Sequence, residues 1–126
     1  MSSFVESRKN QRFIKRMRFA LTGVGHGLHT ERSLRTQAIA LATALVALAI
    51  LRPAPVWWAL VILAGCAVLA AELFNSALER LTDHLHPELH REIRIVKDLA
   101  AGGVLITSVG ALGVAGALLV DLVHRL

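Results

Sequence analysis

Residues 56–81 read VWWALVILAGCAVLAAELFNSALERL, and this stretch decides the fold class. Its first part, as far as Ala71, is an uninterrupted run of apolar residues. The whole stretch is long enough for a helix to cross the hydrocarbon layer of a bilayer, and it opens on Trp57 and Trp58, whose rings favour the membrane interface. It therefore predicts a transmembrane helix at the centre of an all-α integral membrane protein.

The composition also favours a lipid environment. The chain has 126 residues, of which 55% are hydrophobic and 18% are charged. A soluble domain of this size leaves much of its surface in water, so it could not bury this much apolar sequence. The formal net charge of +5 comes from residues near apolar segments, where anionic lipid headgroups rather than nucleic acid are the expected counterpart. The single cysteine, Cys66, excludes an internal disulfide and is predicted to be a small core residue.

Two further transmembrane helices are predicted on either side of the central stretch. The upstream helix covers residues 33–51 and ends at Arg52-Pro53-Ala54-Pro55, because proline lacks an amide donor and disfavours helix in the residue before it. Downstream, residues 82–92 form a loop and residues 93–123 form the third helix, whose glycines permit close helix contact in lipid. The chain is thus predicted to be one membrane domain over residues 1–126.

The N-terminal segment, residues 8–28, predicts an amphipathic helix on the membrane surface followed by a glycine hinge. Basic residues alternate there with apolar ones, and the Gly-Val-Gly-His-Gly stretch at 23–27 lacks the Lys-Ser/Thr ending of a phosphate-binding loop. Lys and Arg are concentrated before residue 36 and between residues 80 and 97. This distribution predicts a cytoplasmic N-terminus and second loop, with the C-terminus on the other side.

Polar residues interrupt the apolar pattern at Glu72, which places a carboxylate inside a membrane helix at a cost of a few kcal/mol. Asn75, Ser76, Glu79 and Asp83 follow at helical spacing and share one stripe with Glu72. At about 1.5 Å per residue, this stripe leads from an intramembrane point to the water interface. Such a stripe suits a lipid headgroup that meets a soluble cosubstrate, and the alternative is a helix contact that pairs with arginines.

Other charged residues are predicted at the same cytoplasmic level. Glu31 precedes the first span and Asp98 opens the third, so that with Glu79 they could hold a divalent cation, since Mg²⁺ binds one or two carboxylates together with phosphate oxygens. For Glu31 alone, the alternative is a charge that complements a helix dipole. Three histidines lie in the predicted loop, and a zinc site is one interpretation of them. They are His84, His86 and His90.

The residues carry a resemblance to a known family. Glu72-Leu-Phe-Asn75-Ser76-Ala-Leu-Glu79, followed by Asp83 and by Lys97-Asp98-Leu-Ala-Ala-Gly-Gly-Val-Leu-Ile, resembles the prokaryotic integral-membrane diacylglycerol kinase family. The resemblance also takes in Arg12, the region of Gly23 and Glu31. It covers residues 12–106, whereas the N-terminal decapeptide and the last part of the third span match in hydropathy alone.

The resemblance implies a homotrimer of three-span protomers in the bacterial inner membrane, with the C-terminus on the periplasmic or extracellular side. It implies transfer of the γ-phosphate of MgATP to a lipid hydroxyl, with Glu72 as general base, Glu31 and Glu79 as ligands of Mg²⁺, and Glu72 and Ala101 at the lipid substrate. The positions that it assigns to the nucleotide site are Arg12, Phe19, Glu31, Asn75, Glu79, Glu88, His90, Lys97 and Asp98.

Two features depart from the pattern of that family. Phe19 stands where a tyrosine is familiar, and Lys97-Asp98 is followed by Leu-Ala-Ala-Gly in place of the Gly-Ser variant of the diacylglycerol enzymes. The second difference leans toward undecaprenol. The expected acceptor is 1,2-diacylglycerol, which gives phosphatidic acid, and undecaprenol is the alternative. A small transporter or proton-channel subunit, in which Glu72 binds a cation or a proton, is the alternative from another class.

Overall fold

The computed structural model describes residues 2–88 and 90–126, with side chains from residue 12 onward. Arg8 and Lys9 of the predicted surface helix therefore have side chains outside the described part, and so does Leu89 of the loop. Within the described residues the chain forms four helices. They are α1 (Ser2–Thr30), α2 (Arg32–Leu51), α3 (Pro55–Leu85) and α4 (Arg91–His124). The all-α prediction is confirmed.

Three of these helices, α2, α3 and α4, are long and apolar enough to cross a membrane within the described part of the chain. The shortest, α2, has 20 residues, which at 1.5 Å per residue gives about 30 Å, the thickness of the hydrocarbon layer. Helix α3 continues four residues past its predicted end at residue 81, and α4 begins two residues before its predicted start at residue 93. The connection between α3 and α4 is correspondingly shorter than the predicted loop.

Helix α2 ends at a sharp turn that proline chemistry explains. Arg52 adopts the left-handed conformation, with φ 51° and ψ 54°, and its amide donates to the Leu48 carbonyl. Pro53 follows without an amide donor, and Pro55 occupies the first turn of α3, where its fixed φ suits a helix and its missing amide removes no bond. The chain therefore reverses direction over three residues.

The break between α1 and α2 lies at Glu31, and not at the predicted glycine hinge. Helix α1 runs unbroken through residues 23–27, and no glycine in the described residues adopts a positive φ. Glu31 has extended dihedrals, with φ −105° and ψ 115°. Gly27 permits close packing, because a Cβ there would lie 2.8 Å from a Leu34 methyl and 2.9 Å from a Leu73 methyl.

Helix α3 lies between α2 and α4 and packs against both, whereas in the described residues no Cα atom of α2 lies within 8 Å of one in α4. Contacts at its two ends show that α3 is antiparallel to both neighbours. Arg80, near its C-terminus, contacts Glu31 at the start of α2. Trp57, near its N-terminus, donates from Nε1 to Asp121 Oδ2 near the end of α4, 3.1 Å away. We call the two ends of the bundle the Glu31 end and the Trp57 end.

The interior of a single protomer is thin. Among the described residues its buried aliphatic side chains are Leu34, Leu48 and Val68, and many large apolar side chains of the three spans are exposed. The prediction that Cys66 is a core residue is wrong, because Cys66 is exposed. Helices α2 and α3 approach closely where Leu41 packs over Gly65, because a Cβ at Gly65 would lie 3.0 Å from Leu41 Cγ. Close approach at a small residue is the usual means by which membrane helices associate.

We expect Gly65→Val to lower the free energy of unfolding by about 1–3 kcal/mol, the range for overpacked interiors, because the new side chain displaces Leu41. Gly110→Val is the matched control, since it has the same effect on helix propensity and a Cβ at Gly110 meets nothing within 4 Å in the protomer. Reversible unfolding in detergent micelles measures both. Equal losses in the two variants would contradict the Gly65 contact.

Candidate functional site

Glu72 is a buried carboxyl group in the middle of an apolar helix. It has 6% of its surface exposed, and its Oε2 accepts a hydrogen bond of 3.0 Å from the Ser33 hydroxyl. An unpaired polar group in such a position would be costly, so the Ser33 hydroxyl supplies the compensation that burial requires. Because Ser33 belongs to the first turn of α2, Glu72 lies near the Glu31 end of the bundle.

The stripe predicted on α3 runs from buried to exposed positions. Glu72 and Ser76 are buried, Asn75 is half-buried, and Glu79 and Asp83 are exposed in the protomer. The Oδ1 atom of Asn75 is buried and has no hydrogen-bond partner among the described residues. Buried acceptors without a donor are rare in proteins, so this atom marks a place where a ligand or water would complete the bonding.

Glu31 is held at this end of the bundle by Arg80 of α3. Arg80 Nη2 lies 3.0 Å and Nε lies 3.3 Å from Glu31 Oε1. The same guanidinium contacts Thr30 and His26 of α1. Glu79 precedes Arg80 in α3 and is exposed, so it lies on the same turn of α3 as the arginine that holds Glu31.

Lys97 and Asp98, at the start of α4, point to different surroundings. Lys97 Nζ forms an ion pair of 2.5 Å with Asp83 Oδ1, whereas Asp98 is exposed in the protomer. This divergence follows from their separation of about 100° around the helix. Ala101 lies one turn beyond Lys97 on the same face of α4 and is also exposed.

Arg12 and Phe19 belong to one face of α1. They precede Thr30 by eighteen and eleven residues, and with His26 they fall within an arc of roughly 40° at 100° per residue. Both side chains are exposed, Phe19 to 71%. His26 and Thr30 contact Arg80 of α3. The face of α1 that carries Arg12 and Phe19 is therefore the face that contacts the bundle at its Glu31 end.

Residues 86–88 and 90 are not helical, so His86 and His90 do not face each other as they would one turn apart in a helix. Their rings lie 5.8 Å apart between centroids, and His90 Nδ1 accepts a hydrogen bond from the Glu92 amide as the cap of α4. Glu88 is exposed. Across the part of the chain that is described, no group of three His, Cys, Asp or Glu side chains is placed to hold a metal ion by itself.

The structure brings one set of predicted site residues together at the Glu31 end and leaves others apart. Glu72, Glu31 and Lys97 each bond to a residue at this end, and Asn75 lies one turn from Glu72 on α3. The remaining predicted positions are exposed and form no hydrogen bond or ion pair with this set among the described residues. Those exposed positions are Arg12, Phe19, Glu79, Glu88, His90, Asp98 and Ala101. A Mg²⁺ site that uses Glu31 and Glu79 would need ligand oxygens in addition to these two carboxylates.

Sequence reasoning missed three partners at this end: Ser33 for Glu72, Asp83 for Lys97, and Arg80 for Glu31. Asp83 was recognised as part of the stripe but not as an ion-pair partner. Each pair joins two helices that are distant in sequence. The sequence offered one indication, which is that a buried charge needs a polar partner at the same depth in the membrane. Several polar residues meet that condition, so the sequence does not identify which of them is the partner.

Comparisons with known proteins address the family of this chain. The family model described as prokaryotic diacylglycerol kinase matches residues 18–119. A protein of Synechocystis sp. with the name diacylglycerol kinase is 33% identical over 103 residues, which is 81% of this chain. The chain spans 59% of the length of that relative. The family match contains every predicted site residue except Arg12.

We expect Ser33 and Glu72 to be energetically coupled. Ser33→Ala leaves the buried carboxyl without its donor and should lower the free energy of unfolding by about 1–3 kcal/mol. In a Glu72→Gln background, Ser33→Ala should change the free energy of unfolding by a different amount. The difference between the two values, the coupling energy, should be about 0.5–3 kcal/mol, as for other residues in direct contact. A double-mutant cycle in detergent measures this term, and strict additivity would contradict the contact.

Proposed function

The chain belongs to the prokaryotic diacylglycerol kinase family, and on that basis we propose that it transfers the γ-phosphate of MgATP to the hydroxyl group of a membrane lipid. The family match extends over residues 18–119 and so covers more than half of the chain. The 33% identity to a protein with the name diacylglycerol kinase supports the same reaction class.

The observation that carries this proposal is the pair formed by buried Glu72 and the unpaired Asn75 Oδ1 at the Glu31 end. One group can accept a proton, and the other can accept a hydrogen bond from an incoming ligand. Both lie on α3, one turn apart, where an apolar span meets exposed charged residues. A lipid alcohol reaches such a point from the bilayer, and a nucleotide reaches it from water.

Glu72, Lys97 and Asp83 each have a role in the proposed phosphoryl transfer. The lipid hydroxyl attacks the γ-phosphorus, the bond from that phosphorus to the bridging oxygen of ATP breaks, and Glu72 takes the hydroxyl proton. Lys97 places a positive charge near the phosphates, and Asp83 holds its ammonium group in place. Because this reaction depends on positioning and charge neutralisation, it needs no covalent intermediate.

The carboxylates of this end fit the Mg²⁺ that accompanies ATP. Mg²⁺ is bound in many enzymes by one or two carboxylates together with phosphate oxygens and water, and Glu31 and Glu79 supply that number. Both contacts of Glu31 with Arg80 are made to Oε1, so Oε2 is left for the metal. When bound, the ion would neutralise the β- and γ-phosphates.

We further propose a homotrimer in the bacterial inner membrane, with the Glu31 end in the cytoplasm. The outward-facing apolar side chains of the three spans support contacts with other copies in addition to lipid. The concentration of Lys and Arg before residue 36 and between residues 80 and 97 supports the orientation. Nucleotide-site residues that are exposed in the protomer, Asp98 among them, would then meet groups of a neighbouring copy.

For the acceptor we propose 1,2-diacylglycerol, with phosphatidic acid as product, because the relative in Synechocystis sp. carries that name. We expect γ-labelled ATP and Mg²⁺ to transfer label to dioleoylglycerol in mixed micelles with the purified protein. Undecaprenol in parallel micelles is the comparison. Label in the polyprenyl phosphate alone would show that undecaprenol, and not diacylglycerol, is the acceptor. Absence of label from both lipids would contradict the kinase activity. Cation or proton flux in liposomes would then be measured to test the transporter alternative.

We expect Glu72→Gln to reduce the transfer rate by at least about a hundredfold, because general bases contribute about 10²–10⁴ in rate. Nucleotide affinity should change little, since the variant keeps the shape of the side chain. Asp121→Asn is the control, because it alters a carboxylate at the Trp57 end that bonds to Trp57 and Arg125. Near-normal turnover in Glu72→Gln would remove Glu72 from this role.

A further inference from the structure

Arg80 occupies the point at which α1, α2 and α3 meet, and the proposed reaction does not use it. Its Nη2 lies 2.6 Å from the Thr30 hydroxyl and 3.0 Å from Glu31 Oε1. Its Nη1 lies 2.7 Å from His26 Nε2. Because a guanidinium only donates hydrogen bonds, His26 Nε2 is the acceptor in this contact. One side chain thus contacts the last turn of α1 and the residue at the α1–α2 break.

The shape of the guanidinium accounts for this set of contacts. Its donors form a planar fork, so that one group reaches acceptors on different sides without a change of rotamer. Glu31 is contacted through Nε and Nη2, while Nη1 is directed to His26. A lysine at this position would carry the same charge on one nitrogen and could not hold these acceptors in the same geometry.

The contacts with Arg80 fix the orientation of the Glu31 carboxylate. Both of them are made to Oε1, so Oε2 accepts no hydrogen bond from the guanidinium. Carboxylates that bind metal ions are usually held by such outer contacts, and loss of the outer partner commonly weakens metal binding by 10–100-fold. Arg80 is such an outer partner of the Glu31 carboxylate.

The same contacts fix the rotation of α1 about its axis. His26 and Thr30 share a face of α1 with Arg12 and Phe19, and the helix is continuous between them. When Arg80 holds His26 and Thr30 against α3, it therefore also determines which way the predicted nucleotide-contact residues face.

We propose that Arg80 is a positioning residue of the nucleotide site: it orients Glu31 for the metal and presents one face of α1 to the nucleotide. This inference rests on the proposed function. The sign of its effect follows from charge, because the ligand is a Mg²⁺–ATP complex with a net negative charge. Removal of the arginine takes away both the orientation of Glu31 and an attractive charge, so nucleotide binding weakens.

The experiment compares the affinity of the full-length protein in detergent for Mg²⁺ with a non-hydrolysable ATP analogue, measured by titration calorimetry. We expect Arg80→Ala to raise Kd about tenfold or more. Arg80→Lys should still raise Kd, by about threefold or more but less than Arg80→Ala, since the fork is lost while the charge is kept. Full rescue by lysine would overturn the positioning role.

Arg35→Ala is the matched control. Arg35 Nη1 donates to the carbonyl groups of Leu28 and His29, at 3.1 and 2.9 Å, so it holds the same end of α1 without a side-chain contact to Glu31. Hydrogen exchange at residues 27–30 should increase in both arginine-to-alanine variants, and we expect Kd to rise less than about threefold in Arg35→Ala. An equal rise in the two variants would overturn the inference, because looser α1 packing would then explain both.

A second variant covers the case in which Arg80→Ala does not fold. Thr30→Val keeps the shape of the side chain and removes one acceptor of Arg80, so Kd should rise about fivefold, as for one lost hydrogen bond. If the wild-type protein does not bind the analogue, the proposed function fails. If the wild type binds it and neither Arg80→Ala nor Thr30→Val changes Kd, only the role of Arg80 fails.

Discussion

The burial of one carboxyl group, that of Glu72, constrains the packing of the other helices. A polar group in an apolar span is stable only where a partner lies at the same depth, and the Ser33 hydroxyl provides that partner. The contact can form in one vertical alignment of α2 and α3. A second contact between α2 and α3 joins Leu41 to Gly65. It lies eight residues after Ser33 on α2 and seven residues before Glu72 on α3, as a single antiparallel register requires.

The same register determines the arrangement beyond the apolar segment. With Glu72 at the first turn of α2, Arg80 comes two turns later, and its side chain reaches Glu31 and the last turn of α1. Glu31 is therefore placed at the bundle by its backbone position between two helices and by a side chain from α3. Helix α1 meets the bundle at this corner and at Gly27, whose lack of a Cβ permits contact with Leu34 and Leu73.

Much of the fold could be predicted from sequence because membrane spans are local features, defined by length, hydropathy and the prolines around residue 53. The pairs at the site could not, because Ser33–Glu72, Lys97–Asp83 and Arg80–Glu31 depend on how separate helices align. The glycine hinge was misplaced for a related reason. Glycine lowers helix propensity by about 1 kcal/mol, and this local cost is outweighed where close packing needs a residue without a side chain, as at Gly27.

The carboxylates at the two ends of the bundle differ in whether they have a partner, and this difference bears on where a ligand binds. At the Trp57 end, Asp121 accepts a bond from Trp57 and pairs with Arg125. At the Glu31 end, Glu79 and Asp98 form no ion pair within the described residues, and a buried acceptor of Asn75 lacks a donor. A buried amide oxygen without a donor costs stability, so a purely structural role does not account for Asn75. Unpaired acceptors beside a held lysine and arginine instead suit a ligand that carries both a cation and phosphate groups.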